Sequence, residues 1–207
     1  MQPPSKRWFI ADRLTEQAER ELQEYHPILR QILYNRGVTT TEAARQYVLA
    51  NPPAGSNPEN LSNMTLAVER LVYAIEHQEP MAVYGDYDAD GVTASALLVQ
   101  ALQKLNATVR GYIPDRFSEG YGLNIEALTA LKEEGTRVVI TVDCGIRSVQ
   151  EADHARAIGL DLIITDHHHP GSSIPQATAV INPKMPGDIY SEKNLAGVGL
   201  AYKLAQA

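Results

Sequence analysis

Acidic and imidazole side chains gather at three places in this sequence, each directly after a short apolar run. The clusters are Asp86, Asp88 and Asp90, then Asp143, and then Asp166, His167, His168 and His169. Carboxylate and imidazole ligands together favour Mn²⁺, with Mg²⁺ or Zn²⁺ as alternatives, over metals that prefer thiolates. Several such ligands are enough to hold two ions about 3.5–4 Å apart, an arrangement that activates water and stabilises a phosphoryl oxygen.

Each cluster also has a simpler interpretation. An aspartate after a strand, such as Asp143, is often the N-cap of the next helix. Residues 86–91 could form an acidic turn, and residues 167–169 a solvated loop. An EF-hand calcium loop is excluded, because Leu97 stands at the twelfth position, where that loop needs Glu. The carboxylates of Asp86, Asp88 and Asp90 repel one another unless a cation neutralises them. Together with acids and imidazoles after two further strands, they favour a metal site.

A polar loop at residues 114–123 offers contacts for a phosphorylated substrate. Arg116 can hold a phosphate through two hydrogen bonds. Gly120 and Gly122 allow a close approach of the backbone, and Tyr121 can stack on a base. An ordinary turn with a solvated Arg116 explains the same segment nearly as well.

The pattern of elements after residue 60 explains how the clusters can meet. Short apolar runs alternate with helical segments, which is typical of βα units that build a parallel sheet covered on both faces. Ligands bind at the carboxyl ends of the strands in such sheets. We therefore predict an α/β fold with a mostly parallel sheet of about five strands flanked by helices. The predicted strands are residues 81–84, 108–113, 138–142, 162–165 and 177–181.

The first part of the chain shows helical periodicity and no strand pattern. Thr39 and Glu42 have the spacing of a capping box for the third of three short helices. The Pro- and Gly-rich segment at residues 51–58 is typical of a linker. We predict a helical N-terminal segment and linker over residues 1–60 and a metal-binding domain over residues 61–207.

Composition limits the class of protein. The chain has 207 residues, of which 44% are hydrophobic and 21% charged, as in ordinary globular proteins. The single cysteine, Cys144, excludes an internal disulfide and a cysteine-based zinc cluster. We expect a cytoplasmic protein, because no signal peptide or apolar stretch of roughly 20 residues is present. The net charge of -7 is unusual for a nucleic-acid binder, unless the acids hold metal ions that attract phosphate.

The same residues, in this order, resemble the DHH phosphoesterase superfamily, and within it the RecJ-type single-strand-specific DNA exonucleases. The likeness covers nearly everything after the linker, and four ordered motifs on one sheet make it specific. The matching stretches are Val83–Gly91, Pro114–Phe117 with Glu119–Leu123, Thr141–Ile146, Ile164–His168, Ile181–Lys184 and Leu195–Gly199.

The resemblance implies a role for each residue of the site. Asp88 and Asp90 would each bind one of two Mn²⁺ or Mg²⁺ ions. Asp143 would bridge the ions, and His167 would complete the second site. The other implied roles are a catalytic His168 facing the scissile phosphate, orienting roles for Asp86 and Asp166, and nucleotide contacts from Arg116, Gly120, Tyr121 and Gly122.

The implied activity is the 5′→3′ hydrolysis of single-stranded DNA to 5′-mononucleotides, in DNA repair and recombination. Single-stranded-DNA-binding protein and a helicase are the partners that the family implies. Two alternatives remain open. One is a small-substrate phosphoesterase that acts on oligonucleotides, cyclic dinucleotides or pyrophosphate, and the other is a catalytically weak metal-binding fragment or scaffold.

Two features depart from the family pattern. Cys144 stands where the family more often has Asn, and the family's further downstream metal-binding aspartate has no counterpart. Asp188 is the only aspartate after Asp166, and it lies in a Pro- and Gly-rich loop. The apolar helical pattern of residues 200–207 also lacks a closing signal. We therefore expect this sequence to be the N-terminal portion of a two-lobed enzyme.

Overall fold

The computed structural model describes residues 9–50, 56–115 and 122–207. The contacts divide the chain into two compact units, residues 1–54 and 55–207, each of which is described by itself. Among the described residues, no helix is both long enough and apolar enough to cross a membrane.

Three short helices form the first unit, and a small core of Leu22, Leu33 and Ala44 lies between them. The predicted capping residue of the third helix was wrong by one position. The side chain of Thr40, and not that of Thr39, accepts a hydrogen bond from the first-turn amide of Ala43. The next residue, Thr41, donates its hydroxyl to Glu21. The helices are α1 (Glu16–Glu21), α2 (Pro27–Asn35) and α3 (Thr41–Val48).

Strands and helices alternate along the second unit. The central strand β3 has the predicted bounds, because its five apolar or β-branched residues are all buried. Helix α6 begins where the Asn124 side chain accepts a hydrogen bond from the amide of Ala127 at 2.7 Å. The elements are α4 (Met64–Glu76), β1 (Met81–Gly85), α5 (Ala89–Lys104), β2 (Val109–Tyr112), α6 (Ile125–Glu133), β3 (Val138–Val142), α7 (Val149–Ala157), β4 (Asp161–Thr165), β5 (Ala179–Ile181) and α8 (Gly197–Gln206).

The five strands form one parallel sheet in the order β2-β1-β3-β4-β5. The chain leaves β1 towards one face of the sheet and leaves β3 towards the other, so the connections diverge between these two strands. A crevice opens at the carboxyl ends of the strands at such a switch point, and ligands bind there in open α/β sheets. The predicted α/β fold with a five-stranded parallel sheet is confirmed.

Both faces of the sheet are buried. On one face, α4, α5 and α8 pack against alternate strand residues such as Val83 and Ile140. On the other face, α6 and α7 pack against the intervening residues, such as Tyr84 and Val139. This burial explains why the inner strands β1, β3 and β4 are largely apolar, whereas the edge strand β2 is only partly buried and contains Arg110. It also fixes the strand ends from which the polar clusters project.

Candidate metal centre

The loop after β1 holds its aspartates in fixed positions. Asp88 is the N-cap of α5, and its Oδ1 accepts hydrogen bonds from the amides of Asp90 at 2.9 Å and Gly91 at 3.0 Å. Asp86 is buried, and its Oδ1 accepts from the amide of Tyr87 at 2.7 Å. A Cβ at Gly91 would lie 2.5 Å from the carbonyl oxygen of Asp86. Glycine is therefore needed for α5 to begin this close to the end of β1.

Asp143 follows β3 in an unusual backbone conformation. Its φ of 62° lies in the left-handed region, which few residues other than glycine adopt. Its side chain is only 3% exposed. Helix α7 begins later, with Ser148 as its N-cap, so Asp143 is not the cap of the next helix. Strained backbone of this kind occurs at functional sites.

The electrostatic environment of Asp143 is unfavourable for a carboxylate. Burial raises the pKa of Asp143 to about 7, and the negative charges of Asp90 and Asp88 act in the same direction. A carboxyl group in this position is stabilised in its ionised form only when positive charge is nearby.

The residues after β4 form a hydrogen-bonded loop around Asp166. This buried carboxylate accepts from the backbone amides of Ile146 at 2.9 Å and His168 at 3.0 Å. Its Oδ1 also lies 2.7 Å from Nδ1 of His168. Because an ionised carboxylate only accepts hydrogen bonds, Nδ1 of His168 carries the hydrogen. Asp166 therefore fixes the orientation of the half-exposed His168 ring.

Donor atoms from the three strand ends converge in two overlapping groups. Within each group, ligand atoms of all three residues lie within 4.8 Å of one another. Nε2 of His167 is 2.9 Å from Oδ1 of Asp143 and 3.6 Å from Oδ2 of Asp90. Asp143 belongs to both groups, as expected of a residue shared by two ions. The groups are Asp86, Asp88 and Asp143, and Asp143, His167 and His168.

The donor set fits a divalent cation. Oδ1 of Asp143 is buried and, among the described residues, has no hydrogen-bond donor. Its 2.9 Å contact with His167 lacks the alignment of a hydrogen bond. A buried carboxylate oxygen without a partner is costly in free energy. A cation such as Mn²⁺ or Mg²⁺ at this position would remove that cost and suits carboxylate and imidazole ligands. The assignment of single residues to each ion stays a prediction, and the geometry admits Asp86 as a further ligand.

Helix α8 contributes to the site through its first turn, a role that the sequence analysis missed. Oδ2 of Asp90 accepts from the amide of Gly197 at 2.7 Å, and Oδ1 accepts from the amide of Val198 at 2.8 Å. A Cβ at Gly197 would lie 2.7 Å from Cβ of Asp143. The local signal in the sequence was a glycine at the start of a helix that has no capping side chain of its own.

Asn182 was also missed as a functional residue. Its buried side chain donates through Nδ2 to the carbonyl oxygen of His168 at 2.9 Å and accepts from the amide of Lys184 at 2.8 Å. It therefore fixes the backbone of the histidine loop. The Asn-Pro pair directly after the predicted strand was the signal for this turn.

Only part of the predicted substrate loop can be placed. Gly122 has a φ of 80°, and its carbonyl oxygen accepts from the hydroxyl of Tyr84 at 2.9 Å. It lines a cavity of about 380 Å³ beside His168, and Arg147 lies on the wall of this cavity. Three other residues predicted to contact the nucleotide lie outside the described residues: Arg116, Gly120 and Tyr121.

Neither Cys144 nor Asp188, the residues that mark the two departures from the family pattern, is in a position that favours metal binding. Burial raises the pKa of the Cys144 thiol well above its usual range, which makes a thiolate ligand unfavourable. The carboxylate of Asp188 accepts from the amides of Ser62 and Tyr190, each at 2.9 Å. It also accepts from Nζ of Lys193 at 3.2 Å, so Asp188 acts as a local structural acceptor.

Comparisons with known proteins identify relatives of this chain. The single-stranded-DNA-specific exonuclease RecJ of Bacillus subtilis (strain 168) is 44% identical over 203 residues, which cover 97% of this chain and 26% of the relative. The crystal structure of RecJ from Thermus thermophilus in complex with Mn²⁺ has a TM-score of 0.69 at 30% identity, covering 91% of this chain and 26% of that chain. A crystal structure of exonuclease RecJ bound to manganese has a TM-score of 0.64 at 36% identity, covering 70% of this chain and 37% of that chain.

This chain spans about a quarter of the length of the Bacillus subtilis relative. The model of the DHH family, N-terminal domain, matches residues 80–207, which include every cluster described above. The resemblance predicted from the ordered motifs is therefore confirmed, and the chain belongs to the DHH family.

Proposed function

We propose that this chain forms the metal-binding part of a single-strand-specific DNA exonuclease of the RecJ type. The observation that carries the proposal is the convergence of carboxylates and imidazoles around Asp143, whose buried Oδ1 has no hydrogen-bond donor among the described residues. The relatives named as RecJ exonucleases and their manganese complexes support the choice of substrate and metal. The reaction is hydrolysis of a phosphodiester in the 5′→3′ direction, with release of 5′-mononucleotides.

The proposed metal centre uses one shared and several unshared residues. When bound, two Mn²⁺ or Mg²⁺ ions supply the positive charge that activates water and stabilises phosphoryl oxygens. Asp143 holds a central position between the two groups of donors, so we assign it to both ions. The other proposed ligands are Asp88, Asp90 and His167.

His168 is the proposed catalytic residue facing the phosphate. Asp166 holds Nδ1 of this ring at 2.7 Å, which leaves Nε2 on the other side of the ring. Protonated Nε2 can donate a hydrogen bond to a phosphate oxygen as negative charge develops there. In this proposal Asp86 orients the start of the loop after β1, and Asp166 orients the ring of His168.

The nucleotide is proposed to lie along the loop that ends at Gly122. Its contacts come from Arg116, Gly120 and Tyr121, and the cavity beside His168 provides room next to the phosphate. The bound ions offset the net charge of -7, which otherwise repels DNA.

The biological setting is also part of the proposal. Single-stranded DNA is the substrate, single-stranded-DNA-binding protein and a helicase are the partners, and DNA repair and recombination are the processes. Residues 61–207 carry the site in this proposal, and residues 1–60 form a helical lead-in and linker. The family resemblance supports these statements, together with the location of every candidate ligand after residue 80.

The test uses the gene product at its natural length, because this chain spans 26% of its Bacillus subtilis relative. Single-stranded DNA labelled at the 5′ or the 3′ end is incubated with Mn²⁺ and with EDTA. We expect release of labelled mononucleotide from the 5′ end with Mn²⁺ only. Asp143→Asn should abolish release, and the exposed control Asp153→Asn should not change it.

The same assay separates the alternatives. Hydrolysis of a cyclic dinucleotide or pyrophosphate, with single-stranded DNA left intact, would refute the proposal in favour of a small-substrate phosphoesterase. Binding of Mn²⁺ without hydrolysis of any of these substrates would indicate a scaffold.

A further inference from the structure

Helix α8 begins without a cap of its own. Its N-cap residue is Ala196, whose methyl side chain cannot accept a hydrogen bond. The amides of a helix's first turn need acceptors from outside the helix. Asp90 supplies them from a distant part of the chain, with bonds of 2.7 Å to Gly197 and 2.8 Å to Val198. One carboxylate therefore caps α8 and also lies beside the candidate metal centre, 3.6 Å from Nε2 of His167 but outside the two groups of converging donors.

The first residue of α8 touches a second candidate ligand. A Cβ at Gly197 would lie 2.7 Å from Cβ and 2.9 Å from Oδ1 of Asp143. Side-chain atoms do not approach this closely, and Asp143 is buried at the end of the central strand. Any side chain at position 197 must therefore move the first turn of α8 away from Asp143, and with it away from Asp90.

We infer that Gly197 is a positioning residue for the metal centre, and that cation binding and docking of α8 stabilise each other. A carboxylate offers about four lone-pair positions. The two amides of α8 use two of them on Asp90, which fixes its plane and leaves the others for a cation. The inference rests on the proposed function for the identity of the ions and for the assignment of Asp90 and Asp143 as their ligands.

The fixed orientation of the Asp90 carboxylate explains why docking of α8 should strengthen cation binding. A ligand that is already oriented loses little conformational freedom when the ion binds, and groups that orient metal ligands commonly contribute 10–100-fold to affinity. Moving α8 would leave Asp90 free to rotate towards water. We therefore expect weaker cation binding when Gly197 gains a side chain.

The experiment compares Mn²⁺ affinity in variants of this chain. Electron paramagnetic resonance of free Mn²⁺ and calorimetric titration give the Kd directly, without an activity assay. Gly197→Ala should raise the Kd by about 10–100-fold. The matched control is Gly199→Ala on the same helix, where a Cβ would meet the side chain of Leu195, with its flexible end nearest at 3.3 Å. Its Kd should stay within about twofold of the parent value.

A second control separates positioning from loss of helix packing. Leu204 lies on the buried side of α8, away from its first turn. Leu204→Ala should lower the Tm at least as much as Gly197→Ala while leaving the Mn²⁺ Kd unchanged. In the unmodified chain, Mn²⁺ should also slow hydrogen exchange at the amides of Gly197 and Val198, which tests the linkage without any substitution.

The outcomes are decisive in each direction. An unchanged Kd in Gly197→Ala, an equal loss of affinity in Leu204→Ala, or no effect of Mn²⁺ on the two amides would overturn the inference. A chain that binds Mn²⁺ with the expected dependence on Gly197, in a protein that does not cleave single-stranded DNA, would refute the proposed function and support the inference. Absence of Mn²⁺ binding by this chain would overturn the inference, whereas the proposed function is decided by the hydrolysis assay on the natural-length protein.

Discussion

Removing the charge of Asp143 should stabilise the metal-free chain at neutral and alkaline pH. The perturbation is Asp143→Asn, which keeps the size of the side chain. Asparagine also tolerates the left-handed backbone conformation at this position. The substitution removes a carboxylate whose pKa is raised to about 7 by burial and by the charges of Asp90 and Asp88.

The magnitude follows from proton linkage. In the unfolded chain Asp143 ionises near its ordinary pKa of 3.8, and in the folded chain near 7. Between these values the folded state keeps a proton that the unfolded state releases, so the stability of the parent chain falls as pH rises. The two pH units from pH 5 to the folded pKa correspond to nearly 3 kcal/mol, at about 1.36 kcal/mol each. Part of this free energy comes from repulsion between Asp143 and the more exposed Asp88, which water screens. We therefore expect a loss of stability of about 1.5 kcal/mol.

The assay is urea unfolding followed by far-ultraviolet circular dichroism, at pH 5 and pH 8 in EDTA. The free energy of unfolding of Asp143→Asn, relative to the parent chain, should rise by about 1.5 kcal/mol from pH 5 to pH 8. Asp153→Asn removes the same charge from an exposed pair with Arg156 and should change by less than about 0.5 kcal/mol. Added Mn²⁺ should stabilise the parent chain more than Asp143→Asn.

One result would refute this reasoning. If Asp143→Asn and the parent chain lose the same stability between pH 5 and pH 8, Asp143 does not carry the repulsion that we assign to it. A lower stability of the variant at pH 8 would show that the ionised carboxylate has a stabilising partner in the metal-free chain.

Three further outcomes follow from the same contacts. Asp188→Asn should lower the free energy of unfolding by about 2 kcal/mol at pH 7 and by less towards pH 3, as measured by urea unfolding at both pH values. The reason is that, despite burial, hydrogen bonds to the ionised form hold the pKa of Asp188 below its ordinary value. Gly91→Ala should destabilise the chain by at least about 2 kcal/mol, because its Cβ would meet the backbone of Asp86 at 2.5 Å, whereas Gly111→Ala, with its nearest contact at 3.8 Å, should not. Cys144 should react with a thiol reagent only at the rate of unfolding, since it is buried and its thiol pKa is raised; labelling with and without urea tests this.

The sheet was predictable from the sequence because its inner strands β1, β3 and β4 are buried on both faces. Residues 138–142 were predicted with their observed bounds, since a short run of β-branched residues between polar segments has few alternatives. The last strand was predicted from residue 177 but begins at Ala179. Strand ends depend on pairing with the neighbouring strand, and β5 pairs with β4 over only three residues.

The location of the candidate site was predictable for a geometric reason. Parallel strands have their carboxyl ends at one edge of the sheet, so side chains that follow different strands meet there. This reasoning placed Asp86, Asp143 and His167 together without knowledge of the strand order. The structure adds that β1 and β3 are neighbours at the switch point, which brings Asp86 and Asp143 within ligand distance.

The contacts between helix α8 and the site were not predictable from local patterns. The bonds from Gly197 and Val198 to Asp90 join residues more than a hundred positions apart. The left-handed backbone of Asp143 was not predicted either, because aspartate adopts this conformation more often than most residues but far less often than glycine. The contacts between α8 and Asp90 depend on how α5 and α8 pack over the same face of the sheet.

Asp143 combines a strained backbone, a buried carboxylate and neighbouring negative charges, and each of these is unfavourable in the metal-free chain. Backbone strain alone costs about 1–3 kcal/mol and persists only where surrounding structure enforces it. Asp143 directly follows the buried strand β3, and the first turn of α8 packs against its side chain at Gly197. The charge can therefore be removed without loss of the fold, whereas moving α8 affects the position of the ligands. For this reason Asp143→Asn should stabilise the metal-free chain at neutral pH, while a side chain at position 197 should weaken cation binding by the candidate metal centre.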